Sequence, residues 1–454
     1  MTLINLFSGT LGENMIHILN QLSSTSGRND KTQILSSLTG PELDTFKSVA
    51  VLTYSPEIDF YVKKYTRSNI HTGSKSLNQV LSELNVLSNR ILTGNAAIQF
   101  LQACDEVLSE DDAEVLHRII QRDLKCGINK KTINDIWPEL IYEHPYMRCS
   151  SFNSKNLSNI KLPAYSQTKE DGLYIDVIVD NGKVTHRTRN GSFIQLSEAN
   201  RDAHLIRYAD NHVLQGEAVV LSEDGTSYLD RKTGNGYLNS DSIDTSRVVF
   251  VLWDMIPLAD YKKKTCKIKY QNRLIELTKV VDNSLGLVMI DTEVVTSIDE
   301  IIKHFQDNVA DGKEGTVIKN FNGYWKPGTS KDQVKCKIEF EMELVVVDKK
   351  EGTGKNVGRL GALTCESSDG LVKVSVGSGF SDEQRDEFWN TDMNGKVVTV
   401  KANDLIQNQN TLEVWSLFLP RFIEVRNDKS EADSLDRIKE QRDAFANSLS
   451  AINL

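Results

Sequence analysis

The apolar pattern changes period twice along this chain, and that constrains its fold more than any other feature. Up to about residue 140 the period is that of helices. Short alternating runs then mix with helical stretches, and from about Phe340 alternation dominates. A length of 454 residues exceeds what one ordinary core encloses. The reading is a multidomain protein: an all-α domain over 1–145, an α+β domain over 150–339 and an all-β domain over 340–454.

Local signals fill in this outline. Ile98, Leu101, Cys104, Val107 and Leu108 form a helical stripe opened by Thr93-Gly94-Asn95. Ser109 and Asp112 have capping-box spacing ahead of Ala113, Leu116, Ile119 and Ile120. Gly127 is expected to end that helix and Asn129 to cap the next, with Pro138 beyond it. The polar stretch 149–154 reads as a linker. Residues 174–179, then Asp180-Asn181-Gly182, then Val184 onward read as strand, turn and strand, and helices are expected near 271–281 and 298–308. Runs at 343–348, 371–376 and 396–400 with glycine-rich turns suggest a small barrel such as an OB-fold, and 433–454 reads as an amphipathic helix.

Several function classes are excluded early. No apolar run approaches the roughly 20 residues that cross a bilayer, and the amino-terminal stretch lacks a basic n-region and meets Glu13 early. A cytoplasmic protein is expected. Cys104, Cys126, Cys149, Cys266, Cys336 and Cys365 contain no CxxC pair, so neither a structural zinc site nor a disulfide framework is expected. A net charge of −10 is unlike the basic footprint of a nucleic-acid binder. Phosphate contacts are local, however, and basic residues do cluster. Lys262, Lys263, Lys264, Lys267 and Lys269 form one group, Lys331, Lys335 and Lys337 another, and Arg118, Arg122, Lys125, Lys130 and Lys131 a third. A solvated charged face fits any one cluster equally well.

The chemistry is carried by an ordered series. Gln167-Thr168-Lys169-Glu170-Asp171-Gly172 precedes a strand, and a bare KxDG is weak evidence by itself. Here it is followed in order by Arg189-Asn190-Gly191, Gly216-Glu217, Trp253-Asp254, Glu314-Gly315 with Lys319, and Lys335-Cys336-Lys337. The series ends with Arg421 and Arg426-Asn427-Asp428-Lys429. As a set it resembles the motif series of the covalent nucleotidyltransferases, which include DNA ligases, RNA ligases and mRNA capping enzymes. Such an enzyme attacks the α-phosphorus of ATP with a neutral lysine amine, whose ordinary pKa is about 10.4. Neighbouring cations and desolvation favour the neutral form, and Lys319, Lys335 and Lys337 are read as supplying them while neutralising the phosphates. Glu217 and Glu314 suit Mg²⁺ (or Mn²⁺), which takes one or two carboxylates plus substrate oxygens. Trp253 offers a flat face for adenine.

The resemblance narrows to the ATP-dependent DNA ligases of T-even bacteriophages and covers nearly the whole chain. Residues 92–98 and 122–127 resemble that family's helical DNA-binding domain, 251–257 and the Glu314 segment its adenylation domain, and 418–421 the approach to its terminal motif. It implies ATP as cofactor and nicked double-stranded DNA as partner, a monomer, no membrane, and lysyl-AMP formation at Lys169. Arg118, Arg122, Lys125, Lys130 and Lys131 would contact DNA. Gln167 and Thr168 would lie on the nucleotide, Gln167 on the adenine edge. Arg189 would contact the sugar or the nick 5′-phosphate, and Glu217 and Glu314 would serve ribose and metal. Lys319, Lys335 and Lys337 would hold phosphate, and Arg426 and Lys429 would orient pyrophosphate. The four-cysteine zinc site of NAD-dependent ligases has no counterpart in the cysteine spacing.

One position departs from the family pattern: Tyr174 stands two residues after the motif glycine, where arginine is usual. A tyrosine supplies no fixed cationic fork. The alternatives are a non-catalytic DNA-binding scaffold derived from a ligase, or an RNA end-joining enzyme. The expectation is a working DNA ligase.

Overall fold

The computed structural model describes residues 15–240, 242–407 and 414–448. The chain divides into two compact units, Met1–His144 with Arg189–Phe193, and Pro145–Thr188 with Ile194–Leu454.

Over residues 15–144 the first unit holds helices and no strand. They are α1 (Met15–Ser24), α2 (Arg28–Ser37), α3 (Gly40–Tyr54), α4 (Leu77–Glu83), α5 (Asn85–Ser88), α6 (Gly94–Val107), α7 (Glu110–Ile120) and α8 (Lys130–Ile136). Their apolar stripes meet in one core that includes Leu19, Phe46, Leu101, Leu116 and Ile119. Ser109 accepts from the Asp112 amide and Asn129 from the Thr132 amide, so both expected N-caps form. The expected stop at Gly127 is corrected: α7 ends at Ile120, and Gly127 lies in the connection at φ 65°. The segment between needs three left-handed residues, Arg122, Lys125 and Gly127, and that is incompatible with a continuing helix.

In the second unit the strands are β1 (Met147–Ser151), β2 (Ala164–Lys169), β3 (Leu173–Asp180), β4 (Lys183–Thr188), β5 (Phe193–Ile194), β6 (His212–Val220) and β7 (Val248–Pro257). They continue as β8 (Leu287–Met289), β9 (Thr292–Val295), β10 (Gly315–Asn320), β11 (Gly328–Lys337) and β12 (Phe340–Glu351). Then come β13 (Leu360–Glu366), β14 (Lys373–Val376), β15 (Val397–Ala402), β16 (Asp404–Gln407), β17 (Trp415–Phe418) and β18 (Arg421–Val425). The helices are α9 (Ser154–Leu157), α10 (Ala199–Ala209), α11 (Arg231–Leu238), α12 (Leu258–Lys262) and α13 (Tyr270–Thr278). After them follow α14 (Ile298–Ala310), α15 (Asp382–Asn390) and α16 (Leu435–Ser448). Residues 449–454 of the expected tail helix lie outside the described residues.

Two sheets are built from the strands before Phe340, ordered β1-β11-β10-β2-β9 and β5-β4-β3-β6-β7-β8. The β3–β4 hairpin turns at Asn181 and Gly182, both at positive φ as its two-residue loop requires. From Phe340 come a third sheet, β14-β13-β12-β15-β18, and the β16-β17 ribbon, with the helix α15, which the all-β reading did not include, between β14 and β15. One core runs from Leu157 and Phe305 through Phe340, Leu344 and Val400 to Leu435 and Ile438.

Within the second sheet His186 is buried, and its Nε2 has no hydrogen-bond partner among the described residues. Burial, helped by Arg201, pushes its pKa from 6.5 to about 3. The folded value lies below the unfolded one, so the unfolded chain takes the proton first. Stability from this group is intact above about pH 6.5 and is lost as pH falls toward 3. Urea unfolding should show about 1 kcal/mol less stability at pH 5.5 than at pH 7.5 from this residue. The same pH change in His186→Leu should lack that increment; an unchanged increment would refute the assignment.

Candidate active site

The period of two along β2, β10 and β11 decides which side chains share a face. Register pairs Lys169 with Gly315, Gln167 with Val317 and Tyr165 with Lys319. On the other side Gly315 pairs with Lys337, Val317 with Lys335 and Lys319 with Gln333. Lys169, Gln167, Lys319, Lys335 and Lys337 therefore stand on one face of three adjacent strands. Thr168 has the opposite parity, which corrects its expected place on the nucleotide. It is buried, and its hydroxyl donates to Asn308 at 2.8 Å.

The motif glycines have steric reasons. A Cβ on Gly172 would sit 2.6 Å from the Ala218 carbonyl and 2.8 Å from Glu217 Cγ, so glycine lets β3 start close against β6. Gly315 holds φ 145°, and a Cβ there would meet the Cys336 carbonyl at 2.3 Å. Between Gln215 and Gly216 the β6–β7 register shifts, leaving Trp253 as the extra residue of a bulge. Bulges re-aim side chains, and this one sits at the position expected to meet adenine.

Two clusters result. The first gathers around Lys169, whose amine forms an ion pair with Glu314. Glu217 feels both: burial pushes its carboxyl up to about 7, against the lowering effects of Lys169 and a hydrogen bond from the Gly172 amide. Burial lowers the Lys337 amine, and so do Lys335 and Lys169, while Glu314 opposes them. Asp171 is raised by burial, against Arg231, which pairs with it at 2.9 Å. Lys313 holds Glu170 at 2.9 Å.

The second cluster is built on Tyr270, which the sequence reading missed. Lys319 is buried, lies 4.7 Å from the Tyr270 ring centre and 5.5 Å from that of Trp253, and donates to the Tyr270 hydroxyl at 3.2 Å. Burial pushes the Lys319 amine down to about 8, although Asp254 opposes this. Lys319 was expected to act on Lys169; instead its charge faces an aromatic wall. Gln167 is fixed at both ends, accepting from Tyr270 at 3.0 Å and donating to Thr292 at 3.0 Å. Beneath them Arg273 and Asp254 form a buried two-pronged pair at 2.7 and 3.0 Å.

Tyr174 is buried, with its ring centre 6.0 Å from that of Trp253. Its hydroxyl donates to Asp176 at 2.7 Å and accepts from Gln215 at 2.7 Å. Asp176 also accepts from Tyr261 at 2.6 Å, and Trp325 donates to Gln215 at 3.1 Å. An arginine at 174 would be drawn to the buried Asp176 carboxylate. Tyr174→Arg is therefore expected to keep the rate of covalent nucleotide transfer to Lys169 within about threefold. A wild type without such transfer and a variant that gains it would overturn this.

The remaining candidates are distributed. Arg426 and Lys429 are engaged on the all-β region: Arg426 pairs with Glu343 at 2.7 Å and Asp428 at 2.7 Å, and Lys429 with Glu343 at 3.1 Å. Arg189 is exposed on the segment grouped with the helical unit. Within that unit Arg122 donates to the carbonyls of Leu52, Ile58 and Ser55, closing the end of α3. Arg118 is held by Glu114 at 2.8 Å and the Leu124 carbonyl at 3.2 Å. Lys125 and Lys131 are exposed, and Lys130 half-buried.

Among the described residues no group of three or more His, Cys, Asp or Glu converges on a metal position. Glu217 interacts electrostatically with Glu314 and with Lys169.

Comparison with known proteins agrees with this arrangement. Residues 147–337 match the family described as ATP dependent DNA ligase domain, and 351–426 that described as DNA ligase OB-like domain. The DNA ligases of Enterobacteria phages T4 and T6 are each 28% identical over 93% of this chain and 98% of theirs. A solved structure described as Pmar-Lig_PreS3 matches with TM-score 0.74 and 26% identity, over 92% of this chain and 100% of that one. The chain belongs to the ATP-dependent DNA ligases.

Proposed function

We propose that this enzyme seals 3′-hydroxyl/5′-phosphate nicks in duplex DNA through a lysyl-AMP at Lys169 and a DNA-adenylate. The observation that carries the site assignment is the Lys169–Glu314 pair on the face that also holds Lys335 and Lys337, with Glu217 in electrostatic range. ATP entering this face separates Lys169 from Glu314, and the freed amine attacks the α-phosphorus. The bond to the β-phosphate breaks, pyrophosphate leaves, and the amine proton passes to solvent. Lys335 and Lys337 neutralise the oxygens whose charge grows during transfer. Trp253, Tyr270 and Gln167 hold the base, so positioning does much of the work. Glu217 and Glu314 would hold Mg²⁺, whose charge screens the phosphates. The 5′-phosphate at the nick then takes AMP from Lys169, and the 3′-hydroxyl attacks that phosphate and expels AMP.

Arg426 and Lys429 would reach pyrophosphate only after leaving Glu343. The all-α unit is read as the duplex-binding part. Lys125, Lys130 and Lys131 supply its phosphate contacts, while Arg118 and Arg122 shape the hairpin that presents them. No contact favours the scaffold reading, since the Tyr174 hydroxyl is taken up by Asp176 and Gln215 and none of its hydrogen bonds reaches Lys169 or Glu314. With α-labelled ATP the protein should take up label and pass it to a nicked duplex carrying a 5′-phosphate. Absence of label sinks the proposal, and label that passes only to nicked RNA transfers it to RNA end joining.

A further inference from the structure

The back of the catalytic strand carries a closed ring of hydrogen bonds. Thr168 donates to Asn308 Oδ1 at 2.8 Å, and Asn308 Nδ2 lies 3.1 Å from His304 Nε2. His304 Nδ1 lies 2.7 Å from Ser166 Oγ, which is 2.9 Å from Thr316 Oγ1. Thr316 donates to the Gln167 carbonyl at 2.8 Å. All five side chains are buried: Ser166 and Thr316 at 0% exposure, His304 at 3%, Thr168 at 5% and Asn308 at 6%. With a neutral His304 protonated on Nδ1, every donor in the ring meets an acceptor in one sense of rotation.

The ring starts on the side chain of Thr168 and ends on the carbonyl of Gln167, so it embraces the 167–168 peptide, one unit ahead of the peptide that leads into Lys169. The Thr168 amide is held too, by the Asp291 carbonyl at 3.0 Å. Three elements contribute, β2, β10 and α14, and His304 and Asn308 are one helical turn apart on the buried face of α14. Simple packing would be served by apolar residues without the cost of burying polar groups. We infer that His304, Asn308 and Thr168 are positioning residues: they fix the 167–168 peptide and so aim the Lys169 amine at the α-phosphorus. Their side chains lie behind β2, on the face opposite Lys169. Displacement of a reacting group by about 1 Å costs on the order of 100-fold in rate, and that is the margin the ring protects.

This inference rests on Lys169 being the adenylated residue, and the test separates the two. Thr168→Val keeps shape but removes the donor; Thr168→Ser restores it. Single-turnover label transfer from α-labelled ATP to the full-length protein would be measured at saturating ATP, alongside ATP affinity and melting temperature. Thr168→Val should slow transfer at least about 10-fold with ATP affinity within twofold. Thr168→Ser should return to within about threefold of wild type. Thr168→Val at the wild-type rate would overturn the inference. So would a loss of rate, affinity and melting temperature together that Thr168→Ser does not repair. A wild type that takes no label would instead overturn the adenylation reading itself.

Discussion

Lys169→Ala is expected to abolish covalent labelling by α-labelled ATP, a loss of at least about 1,000-fold, with melting temperature nearly unchanged. The reason lies in the geometry of its face. The cations Lys335 and Lys337 stand beside it at fixed register, but each follows a different strand position and neither replaces its contact with Glu314. Lys169→Arg should be as inactive, because a guanidinium stays protonated near neutral pH and cannot act as the nucleophile. The side chain is only partly buried, so truncation leaves no large cavity. A nicked duplex that already carries AMP on its 5′-phosphate bypasses the lysine, and the Ala variant should still seal it measurably. Residual label on the Ala variant would place the nucleophile elsewhere. Complete failure on the pre-adenylated nick would mean that the change disturbed more than one amine.

How far the sequence could be read depended on whether a property was local. Caps at Ser109 and Asn129, the Asn181-Gly182 hairpin and helix α14 all rest on a few neighbouring residues, and they formed as expected. Parity along β2 was also local: if Lys169 faces the nucleotide, Thr168 cannot, and the expected nucleotide contact ignored that alternation. His304 and Asn308 gave a signal as well, two polar residues on the stripe of Ile301, Ile302 and Phe305. What could not be read was long-range. Arg122 looked like a phosphate contact because its acceptors, the carbonyls of Leu52, Ser55 and Ile58, lie some 64 to 70 residues away. Lys319 joins Tyr270 across 49 residues, a pairing no spacing rule suggests. The cations were visible, but their partners were set by the fold.

The same long-range pairing makes Arg273 the residue whose loss should destabilise the second unit most. Arg273 and Asp254 are 1% and 3% exposed and meet through two charge-assisted bonds. Arg273 also donates to the Ile268 and Gly323 carbonyls, so four acceptor atoms lose a donor if it goes. Removing one partner of such a pair strands a buried carboxylate, at a cost of about 3–5 kcal/mol. Arg273→Met should therefore lower stability toward urea by that amount. Asp254→Asn combined with Arg273→Met should lose clearly less than the sum of the single changes, because no charge is then stranded. The effect should reach the site, since Tyr270 follows Lys269 at the start of the helix that carries Arg273, and it holds Gln167, the Trp253 carbonyl and Lys319. ATP affinity should fall with stability, whereas Thr168→Val is expected to spare affinity and slow transfer. An Arg273→Met protein within about 1 kcal/mol of wild type would show that Asp254 finds water or another donor, and that the aromatic wall stands without the pair.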